Sequence, residues 1–387
     1  MYKIQLLNKI AKVGTDAFDL DKYTIGTEVE NPDGIMVRSA SMLDMPFGDN
    51  LKAIARAGAG VNNIPIDRCS ENGIVVFNTP GANANAVKEL AVAALLMASR
   101  KIVDGVNWAN SLTGDDVAKQ VEAGKSAFAG PELYGKTLGV IGLGAIGAQL
   151  ANTALHLGMN VYGHDPYITV DAAWRMSKSV IKAPAREDIY KNCDYISLHV
   201  PSTPETRGMI NKATIAQMKD GVRIINLARG ELVNDEDMAV ALESGKVAAY
   251  VTDFPNEKTL TMKNTICIPH LGASTPESED NCAVMAAEEI QNYILHGTIV
   301  NSVNLPNIDM PQEDQYRLCV IHKNIPNMLG LISTSLAESG FNIEHMTNRS
   351  KKDYAVTILD TDEKPSDEVI QKIRAVPGIL RVRMIEK

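Results

Sequence analysis

The stretch Thr137-Leu-Gly-Val-Ile-Gly142-Leu-Gly144-Ala-Ile-Gly147 decides the fold class. An apolar, strand-like run leads into it, and a helical pattern with one apolar side follows. In such a unit the first glycine allows a tight turn, the second lets a phosphate approach the backbone, and the third lets the helix pack closely. The helix N-terminus, at Ala145 and Ile146, presents free N–H groups to an anion. The pattern predicts a dinucleotide site.

An aspartate follows the next predicted strand, in Asn160-Val-Tyr-Gly-His-Asp165. A carboxylate at this distance from the glycines accepts hydrogen bonds from both ribose hydroxyls and repels a 2′-phosphate. The sequence therefore favours NAD over NADP as the cofactor.

Working outward, strands and helices alternate with short connections from about residue 135 to 268, which predicts a parallel sheet with helices on both faces. Before it, short apolar runs predict a second parallel sheet, at residues 3–8, 34–37, 51–55 and 74–77. Between the two, the alanine-rich segment 85–100 is apolar almost all round and predicts a buried helix.

The last segment, Tyr316 to Lys387, predicts a unit of its own with the order βαββαβ, the ferredoxin-like pattern. A helix over 283–295 precedes it, and the proline- and asparagine-rich stretch 301–311 indicates a linker between them. The fold class is thus α/β with a small α+β tail.

Charge and composition restrict the partners. Of 387 residues, Lys+Arg account for 38 and Asp+Glu for 47, giving a net charge of −9. This balance disfavours nucleic acid and anionic membranes as general partners. No apolar run approaches the ~20 residues of a membrane span. The five cysteines show neither a disulfide nor a metal-site pattern, so we expect no metal and a reducing, cytoplasmic setting.

Three motifs follow successive predicted strands and carry candidate catalytic groups: Arg229 in 224–234, Glu257 behind Asp253 in 250–257, and His270 in 267–275. Hydride transfer from a hydroxyl-bearing carbon needs a base for the hydroxyl proton, a group that orients the base, and a cation for a substrate carboxylate. A Glu hydrogen-bonded to a His fixes its tautomer, so a Glu257–His270 pair is expected here. Ligands of parallel sheets bind at the carboxyl ends of the strands, so these groups should face one crevice. Each also has a simpler interpretation, as a surface ion pair, a loop charge and a strand-end cap respectively.

This arrangement resembles the D-isomer-specific 2-hydroxyacid dehydrogenases, in which Arg, Glu and His follow the glycine motif in this order. The resemblance covers about residues 1–309 and includes the segments 57–63, 78–81, 199–201 with Thr203 and Thr206, 226–230 and 269–270. It implies a Rossmann-type NAD-binding domain (99–283) inserted in a flavodoxin-like substrate domain (1–98 and 284–310), followed by a regulatory domain (316–387).

The resemblance also implies site residues. The implied cofactor-binding residues are Gly142, Gly144, Ala145, Ile146, Gly147, Asp165, His199, Val200, Pro201, Thr206, Ala228, Arg229, Asp253, His270 and Gly272. The implied catalytic residues are Arg229, Glu257 and His270, and the implied substrate ligands are Arg38, Ser39, Ala59 and Gly60. The family usually has one more residue between its Asp and Glu, and a proline after the Glu, where this chain has Asp253-Phe-Pro-Asn-Glu257-Lys258.

Two features resemble family members that oxidise 3-phospho-D-glycerate to 3-phosphohydroxypyruvate with NAD, the first step of L-serine biosynthesis. The first is Arg38-Ser39, which would hold a phosphate, although Arg38 could instead pair with a surface carboxylate. The second is the tail, which resembles an ACT domain, an amino-acid-binding module. There the implied ligands of L-serine as a feedback inhibitor are His322, Asn324 and Asn342. The family's usual Pro-Gly is Pro326-Asn327 here, and asparagine tolerates positive φ.

Three alternatives stay open: a dehydrogenase of another 2-hydroxy acid, a non-catalytic NAD-sensing scaffold, and a tail that serves only for dimerisation. The apolar helix 85–100 and the sheet edge of the tail both favour a homodimer or homotetramer.

Overall fold

The structure, a computed structural model, describes Met1–Lys387 except for the side chain of Asp171. It divides into two compact units. The discontinuous unit comprises Met1–Asn83 and Pro276–Lys387, and the central unit comprises Ala84–Thr275. The three-domain boundaries expected from the sequence stay a prediction.

The N-terminal part of the discontinuous unit is a five-stranded parallel sheet. Its strands are β1 (Tyr2–Leu7), β2 (Tyr23–Gly26), β3 (Gly34–Val37), β4 (Ala53–Arg56) and β5 (Val75–Asn78), with helices α1 (Lys12–Thr15) and α2 (Ile66–Glu71). The order is β2-β1-β3-β4-β5. Four strands confirm the predicted apolar runs. The fifth, β2, has only four residues and ends in glycine, so it gives no recognisable pattern.

The central unit holds a seven-stranded parallel sheet in the order β12-β11-β10-β9-β6-β7-β8. Its strands are β6 (Thr137–Ile141), β7 (Asn160–His164), β8 (Ile181–Lys182), β9 (Tyr195–Leu198), β10 (Val222–Asn226), β11 (Val247–Thr252) and β12 (Thr265–Cys267). Strand order reverses between β6 and β9, where open α/β sheets bind ligands.

Helices cover both faces of the central sheet. They are α3 (Ala84–Arg100), α4 (Ile102–Asn110), α5 (Val117–Gly124), α6 (Ala145–His156), α7 (Val170–Arg175), α8 (Arg186–Asn192), α9 (Lys212–Ala216) and α10 (Asp235–Glu243). The apolar helix α3 packs against α6 and against strands β10 and β11, which explains its small polar surface.

A long helix, α11 (Pro276–His296), leads the chain back into the discontinuous unit. It begins seven residues before the predicted start at residue 283. Its first turns, Pro-Glu-Ser-Glu-Asp-Asn, are polar and show no apolar stripe. Proline at the first position and acidic residues in the first turn stabilise this end.

The tail has the predicted βαββαβ order: β13 (Tyr316–Lys323), α12 (Met328–Ala337), β14 (Ile343–Lys351), β15 (Tyr354–Thr361), α13 (Asp367–Arg374) and β16 (Ile379–Glu386). The strands form an antiparallel sheet in the order β14-β15-β13-β16. Asn327, before α12, has φ 68°, so asparagine does adopt the left-handed conformation there.

The stretch 301–311 is packed and not a free linker. Asn304 is buried, and its side chain accepts from Val76 N–H (2.9 Å) and donates to the Ile74 carbonyl (2.9 Å). Arg317, fully buried in β13, donates to the carbonyls of His296 and Pro311. The Asn304 bonds join this stretch to the N-terminal sheet, and the Arg317 bonds join the tail to α11 and to the end of the stretch, within one unit.

Among the residues described, no helix is long and apolar enough to cross a membrane. All five cysteines are free thiols, and four are buried. Burial raises the pKa of Cys69 and of Cys193 to about 12, so these thiols stay protonated at neutral pH.

Candidate active site

The glycine loop between β6 and α6 has the geometry that the motif predicts. Gly142 has φ +95°, and a Cβ there would lie 2.5 Å from the His199 carbonyl oxygen. A Cβ on Gly147 would overlap the Gly142 carbonyl, so this glycine allows the helix to approach. Gly144 caps α6 and has open space where its Cβ would point. The N–H groups of Ala145 and Ile146, in the first helical turn, stay available to an anion.

Asp165 lies directly after β7 and holds this loop. The Leu143 N–H donates to its Oδ2 (2.8 Å), and the Tyr167 N–H donates to its Oδ1 (2.9 Å). Each carboxylate oxygen keeps a further lone pair, as acceptance from ribose hydroxyls requires. His164 bonds through Nδ1 to the Ala183 carbonyl, which is the role of a strand-end residue.

The loop after β9 carries the next predicted cofactor residues. His199 shares a hydrogen bond of 2.8 Å with Ser197 Oγ, and burial lowers its pKa to about 4, so the imidazole is neutral at pH 7. The Thr206 hydroxyl donates to the Pro201 carbonyl (2.6 Å) and fixes the turn. Val200 packs against the core of the sheet.

Arg229 follows β10 in a loop held by Asn226. The fully buried Asn226 donates to the Arg229 carbonyl (2.9 Å) and accepts from the N–H groups of Ala228 and Arg229. The Arg229 side chain is exposed and, among the described residues, donates only to the Ala228 carbonyl (2.6 Å), so its other donors can bind an anion. Sequence reasoning missed Asn226 as the residue that sets this loop, although it lies in the quoted motif.

Asp253, directly after β11, is 1% exposed, and neither carboxylate oxygen has a hydrogen-bond partner among the described residues. Burial raises its pKa, while the charge of His270, the nearby backbone N–H groups of Asp253 and Gly272, and the charge of Arg229 oppose this effect. A Cβ on the buried Gly272 would lie 3.5 Å from Asp253 Oδ2. An unpaired buried carboxylate is costly, so it indicates a missing donor at this point.

His270 is exposed and its ring packs on Phe254, with centroids 4.8 Å apart. Across the described part of the chain it has no hydrogen bond or ion pair with Glu257, so the expected Glu–His pair is not made. The shortened loop explains this. Asn256 turns inward, accepting from the N–H groups of Lys258 and Thr259, while Glu257 is exposed at the turn.

The predicted phosphate ligand Arg38 lies directly after β3, in the discontinuous unit. Its guanidinium makes an ion pair of 2.7 Å with Glu279 in the first turn of α11. Both side chains are 41% exposed. The exposed Ser39 donates its N–H to Asn8 Oδ1 (3.1 Å), which fixes the backbone and leaves the hydroxyl accessible.

Arg56, at the end of β4, is a second cation beside the predicted substrate segment, and sequence reasoning missed it. Its Nε donates to the Arg38 carbonyl (3.0 Å), and a Cβ on Gly58 would lie 2.6 Å from its Nη1. Within the described residues, the N–H groups of Ala59 and Gly60 have no acceptor. Arginines next to such N–H groups can bind a carboxylate or phosphate. The sequence signal that could have identified Arg56 is a charged residue at the end of a buried strand.

The predicted effector residues are not brought together within one chain. His322 is buried, and its two ring nitrogens bond to the Lys323 carbonyl and to Thr357 Oγ1. Asn324 directly follows β13, the strand that carries His322 near its end. Asn342 precedes β14, whose first residue pairs with the opposite end of β15.

Comparison with known proteins identifies the family. Residues 92–272 match the model described as D-isomer specific 2-hydroxyacid dehydrogenase, NAD binding domain. Over 350 residues the chain is 31% identical to the D-3-phosphoglycerate dehydrogenase of Escherichia coli K12, covering 87% of this chain and 82% of that protein. The chain belongs to the D-isomer specific 2-hydroxyacid dehydrogenase family. Its central unit contains the NAD-binding domain of these dehydrogenases.

Two further relatives support this assignment. The D-3-phosphoglycerate dehydrogenase of Methanocaldococcus jannaschii is 36% identical over 348 residues, and these cover 88% of this chain and 64% of that protein. The chain thus spans just under two thirds of that dehydrogenase. The NAD+-bound 3-phosphoglycerate dehydrogenase of Entamoeba histolytica has a TM-score of 0.61 and 26% identity, covering 78% of this chain and 98% of that structure.

The central unit fits NAD. The open space at Gly144 lies at the N-terminus of α6, as a pyrophosphate requires. The two oxygens of Asp253 would suit the carboxamide of a nicotinamide as acceptors. The carboxylate of Asp165 would suit the hydroxyls of a ribose.

Proposed function

We propose that this dehydrogenase oxidises 3-phospho-D-glycerate to 3-phosphohydroxypyruvate with NAD, the first step of L-serine biosynthesis. The observation that carries the proposal is the ordered set of Arg229, Asp253 and His270 at the carboxyl ends of strands in an NAD-binding unit. The names of the relatives, D-3-phosphoglycerate dehydrogenases, support the choice of substrate.

His270 is the proposed general base. Its ring is exposed on the side away from Phe254, so the imidazole can take the proton of the substrate's C2 hydroxyl. The Asp253 carboxylate stabilises the imidazolium that results, because the two charges interact. When bound, NAD accepts the hydride from C2.

Arg229 is the proposed ligand of the substrate carboxylate and of the C2 oxygen, which it polarises. Only one carbonyl occupies its donors, so a planar carboxylate can bind two of the remaining N–H groups. In the discontinuous unit, Arg38 and Ser39 are the proposed phosphate ligands, and Ala59 and Gly60 offer backbone donors.

Glu257 is the proposed positioning residue for His270. The exposed turn would have to move inward for the two to bond, because Asn256 holds it in the present geometry. Glu257→Gln then lowers kcat and shifts its pH profile. An unchanged pH profile would show that Glu257 does not position His270, and that Phe254 and Asp253 orient the ring instead.

The test is a spectrophotometric assay of NADH formation with 3-phosphoglycerate, D-glycerate and D-lactate. We expect the phosphorylated acid to have the highest kcat/KM, and His270→Gln to abolish turnover while NAD still binds. Absence of NADH formation, or a preference for an unphosphorylated acid, would refute the proposal.

A dehydrogenase of an unphosphorylated 2-hydroxy acid is the second candidate. One observation favours it: Glu279 already neutralises Arg38, which reduces the net charge available to a phosphate. The same assay separates the two candidates.

For the tail we propose an ACT domain that binds L-serine between two copies of the chain. His322 and Asn324 lie at one end of the sheet and Asn342 at the other, so a site that uses all three requires a homodimer or homotetramer. The edge strand β14 is available for such pairing. Serine should inhibit NADH formation in the wild-type enzyme and not in Asn342→Ala. We also propose a cytoplasmic location, which fractionation of cells tests.

A further inference from the structure

A cavity of about 560 Å³ lies between the edge strand β16 of the tail and the N-terminal sheet of the discontinuous unit. Its lining includes four cationic side chains, Lys52, Arg374, Arg381 and Arg383, and one carboxylate, Asp49. The volume lies within the usual range for small-molecule sites. The lining of the cavity is therefore positively charged, although the protein as a whole is acidic.

The three arginines are held in place by carbonyl groups. Arg374 donates to the Val382 carbonyl (3.2 Å), and Arg381 donates to the carbonyls of Asp49 (3.4 Å) and Asn72 (3.1 Å). Arg383 donates to the carbonyls of Tyr293 (3.2 Å) and Ile294 (2.8 Å). Carbonyls orient a guanidinium but do not neutralise its charge.

No carboxylate of the described chain lies within 4.0 Å of these three guanidinium groups, whereas Lys52 pairs with Asp33. Arg383 is 8% exposed, and its guanidinium lies 4.5 Å from the centre of the Tyr293 ring. Burial lowers the pKa of Lys52, its hydrogen bond and ion pair with Asp33 oppose this effect, and the charges of Arg383 and Arg381 add to the lowering. Like charges crowded in a partly desolvated wall destabilise one another unless an anion joins them.

The cavity is separate from the proposed substrate segment. Tyr2 begins β1 and Lys52 directly precedes β4, so the cavity lies at the amino ends of these parallel strands. Arg38 and Gly58–Gly60 follow β3 and β4 at the carboxyl ends. A four-residue strand separates the two edges by roughly 13 Å.

We infer that this cavity is a binding site for a small phosphorylated anion, held by the guanidinium groups of Arg374 and Arg381 with the charge of Arg383 behind them. A guanidinium group can bind two phosphate oxygens through two parallel hydrogen bonds. Two guanidinium groups without a carboxylate partner favour a ligand with several negative charges. Such a ligand would link the tail to the N-terminal sheet, since Arg374 and Arg381 belong to the tail and Lys52 to the sheet.

Calorimetric titration of the full-length chain with inorganic phosphate and with pyrophosphate tests the inference. The Arg38→Ala background with saturating NAD removes the contribution of the proposed substrate and nucleotide sites. We expect one pyrophosphate per chain, bound more tightly than phosphate. Adding Arg374→Gln should raise the Kd about tenfold, as the loss of a charged hydrogen bond predicts.

Arg100→Gln, an exposed arginine of the central unit, is the matched control and should leave the Kd unchanged. Arg381→Gln is the second variant, and Arg374→Gln decides the result if Arg381→Gln does not fold, because exposed Arg374 makes a single carbonyl contact. Absence of pyrophosphate binding, or equal Kd values for Arg374→Gln and Arg100→Gln, would overturn the inference.

Discussion

Arg38 and Glu279 form an ion pair of 2.7 Å although 241 positions separate them in the chain. Arg38 directly follows β3, and Glu279 lies in the first turn of α11. If Arg38 binds the substrate phosphate, Glu279 is the anion that the phosphate must displace. In that case the pair would set how strongly the proposed enzyme discriminates between phosphorylated and unphosphorylated acids.

Glu279→Gln should lower the KM for 3-phosphoglycerate about two- to fivefold, because half-exposed ion pairs contribute up to about 1 kcal/mol. Glu277→Gln, an exposed acid of the same helical turn, is the control and should change the KM little. Arg38→Ala should raise the KM for 3-phosphoglycerate much more than that for D-glycerate. Equal effects on the two acids would remove Arg38 from phosphate recognition.

Gly144 and Gly147 should respond differently to alanine. A methyl group on Gly144 meets no atom of the described chain within 4 Å, whereas one on Gly147 overlaps the Gly142 carbonyl. Gly144→Ala should keep the wild-type Tm and weaken NAD binding, because the methyl occupies the space of the pyrophosphate. Gly147→Ala should lower the Tm. Thermal unfolding with and without NAD measures both, and unchanged NAD affinity in Gly144→Ala would exclude this loop as the pyrophosphate site.

Local patterns predicted most of the fold. The apolar runs predicted the strands because the strands are buried inside their sheets. Asn327 adopts a positive φ, which asparagine tolerates. The polar start of α11 carried no apolar period, so its first two turns were missed. The tail's attachment to α11 depends on carbonyls of distant residues, such as those of His296 and Tyr293, which no local pattern encodes.

The candidate site was predicted less completely, because side-chain directions depend on distant contacts. Asn256 bonds to Asp235, 21 positions earlier, and this contact helps keep Glu257 at the outside of its turn. Arg56 resembles an ordinary strand-end charge until its contact with the Arg38 carbonyl is seen. Asp253 was assigned by resemblance, and only the structure shows that its carboxylate is buried without a hydrogen-bond partner among the described residues.

Glu289 should make the stability of the folded chain decrease with rising pH. It is 6% exposed, accepts from Asn301 Nδ2 (2.9 Å), and burial raises its pKa from 4.5 to about 8. Between these values the folded state keeps a proton that the unfolded state has released. The free energy of unfolding therefore falls as pH rises from 4.5 to about 8, by at most roughly 5 kcal/mol.

Glu289→Gln keeps the acceptor for Asn301 and cannot titrate, so it should remove this part of the pH dependence. Urea unfolding at pH 5, 6.5 and 8 measures it. Glu277→Gln, at an exposed acid of the same helix, serves as the control and should follow the wild type. If the free energy of unfolding of the wild type and of Glu289→Gln depended on pH in the same way, the buried carboxyl group would have an ordinary pKa.

The buried pair of Arg317 and Asp360 should contribute far more to stability than the exposed pair of the same sheet. Arg317 Nε and Nη2 donate to the two oxygens of Asp360 (2.7 and 2.8 Å), and both side chains are fully buried. Arg317→Met leaves an unpaired buried carboxylate and frees the His296 carbonyl, so we expect a loss of about 3–5 kcal/mol in urea unfolding. Lys364→Met breaks the half-exposed pair with Glu386 and should cost far less stability, because water screens exposed pairs.

The double variant Arg317→Met with Asp360→Leu separates the pair from its surroundings. Because it removes both charges, it should be more stable than Arg317→Met alone. The remaining loss in its free energy of unfolding, relative to the wild type, then measures the contribution of the bonds from Arg317 to the carbonyls of His296 and Pro311. The bond to His296 attaches the tail to α11. If Arg317→Met were no less stable than Lys364→Met, these bonds and the ion pair would not hold the tail in place.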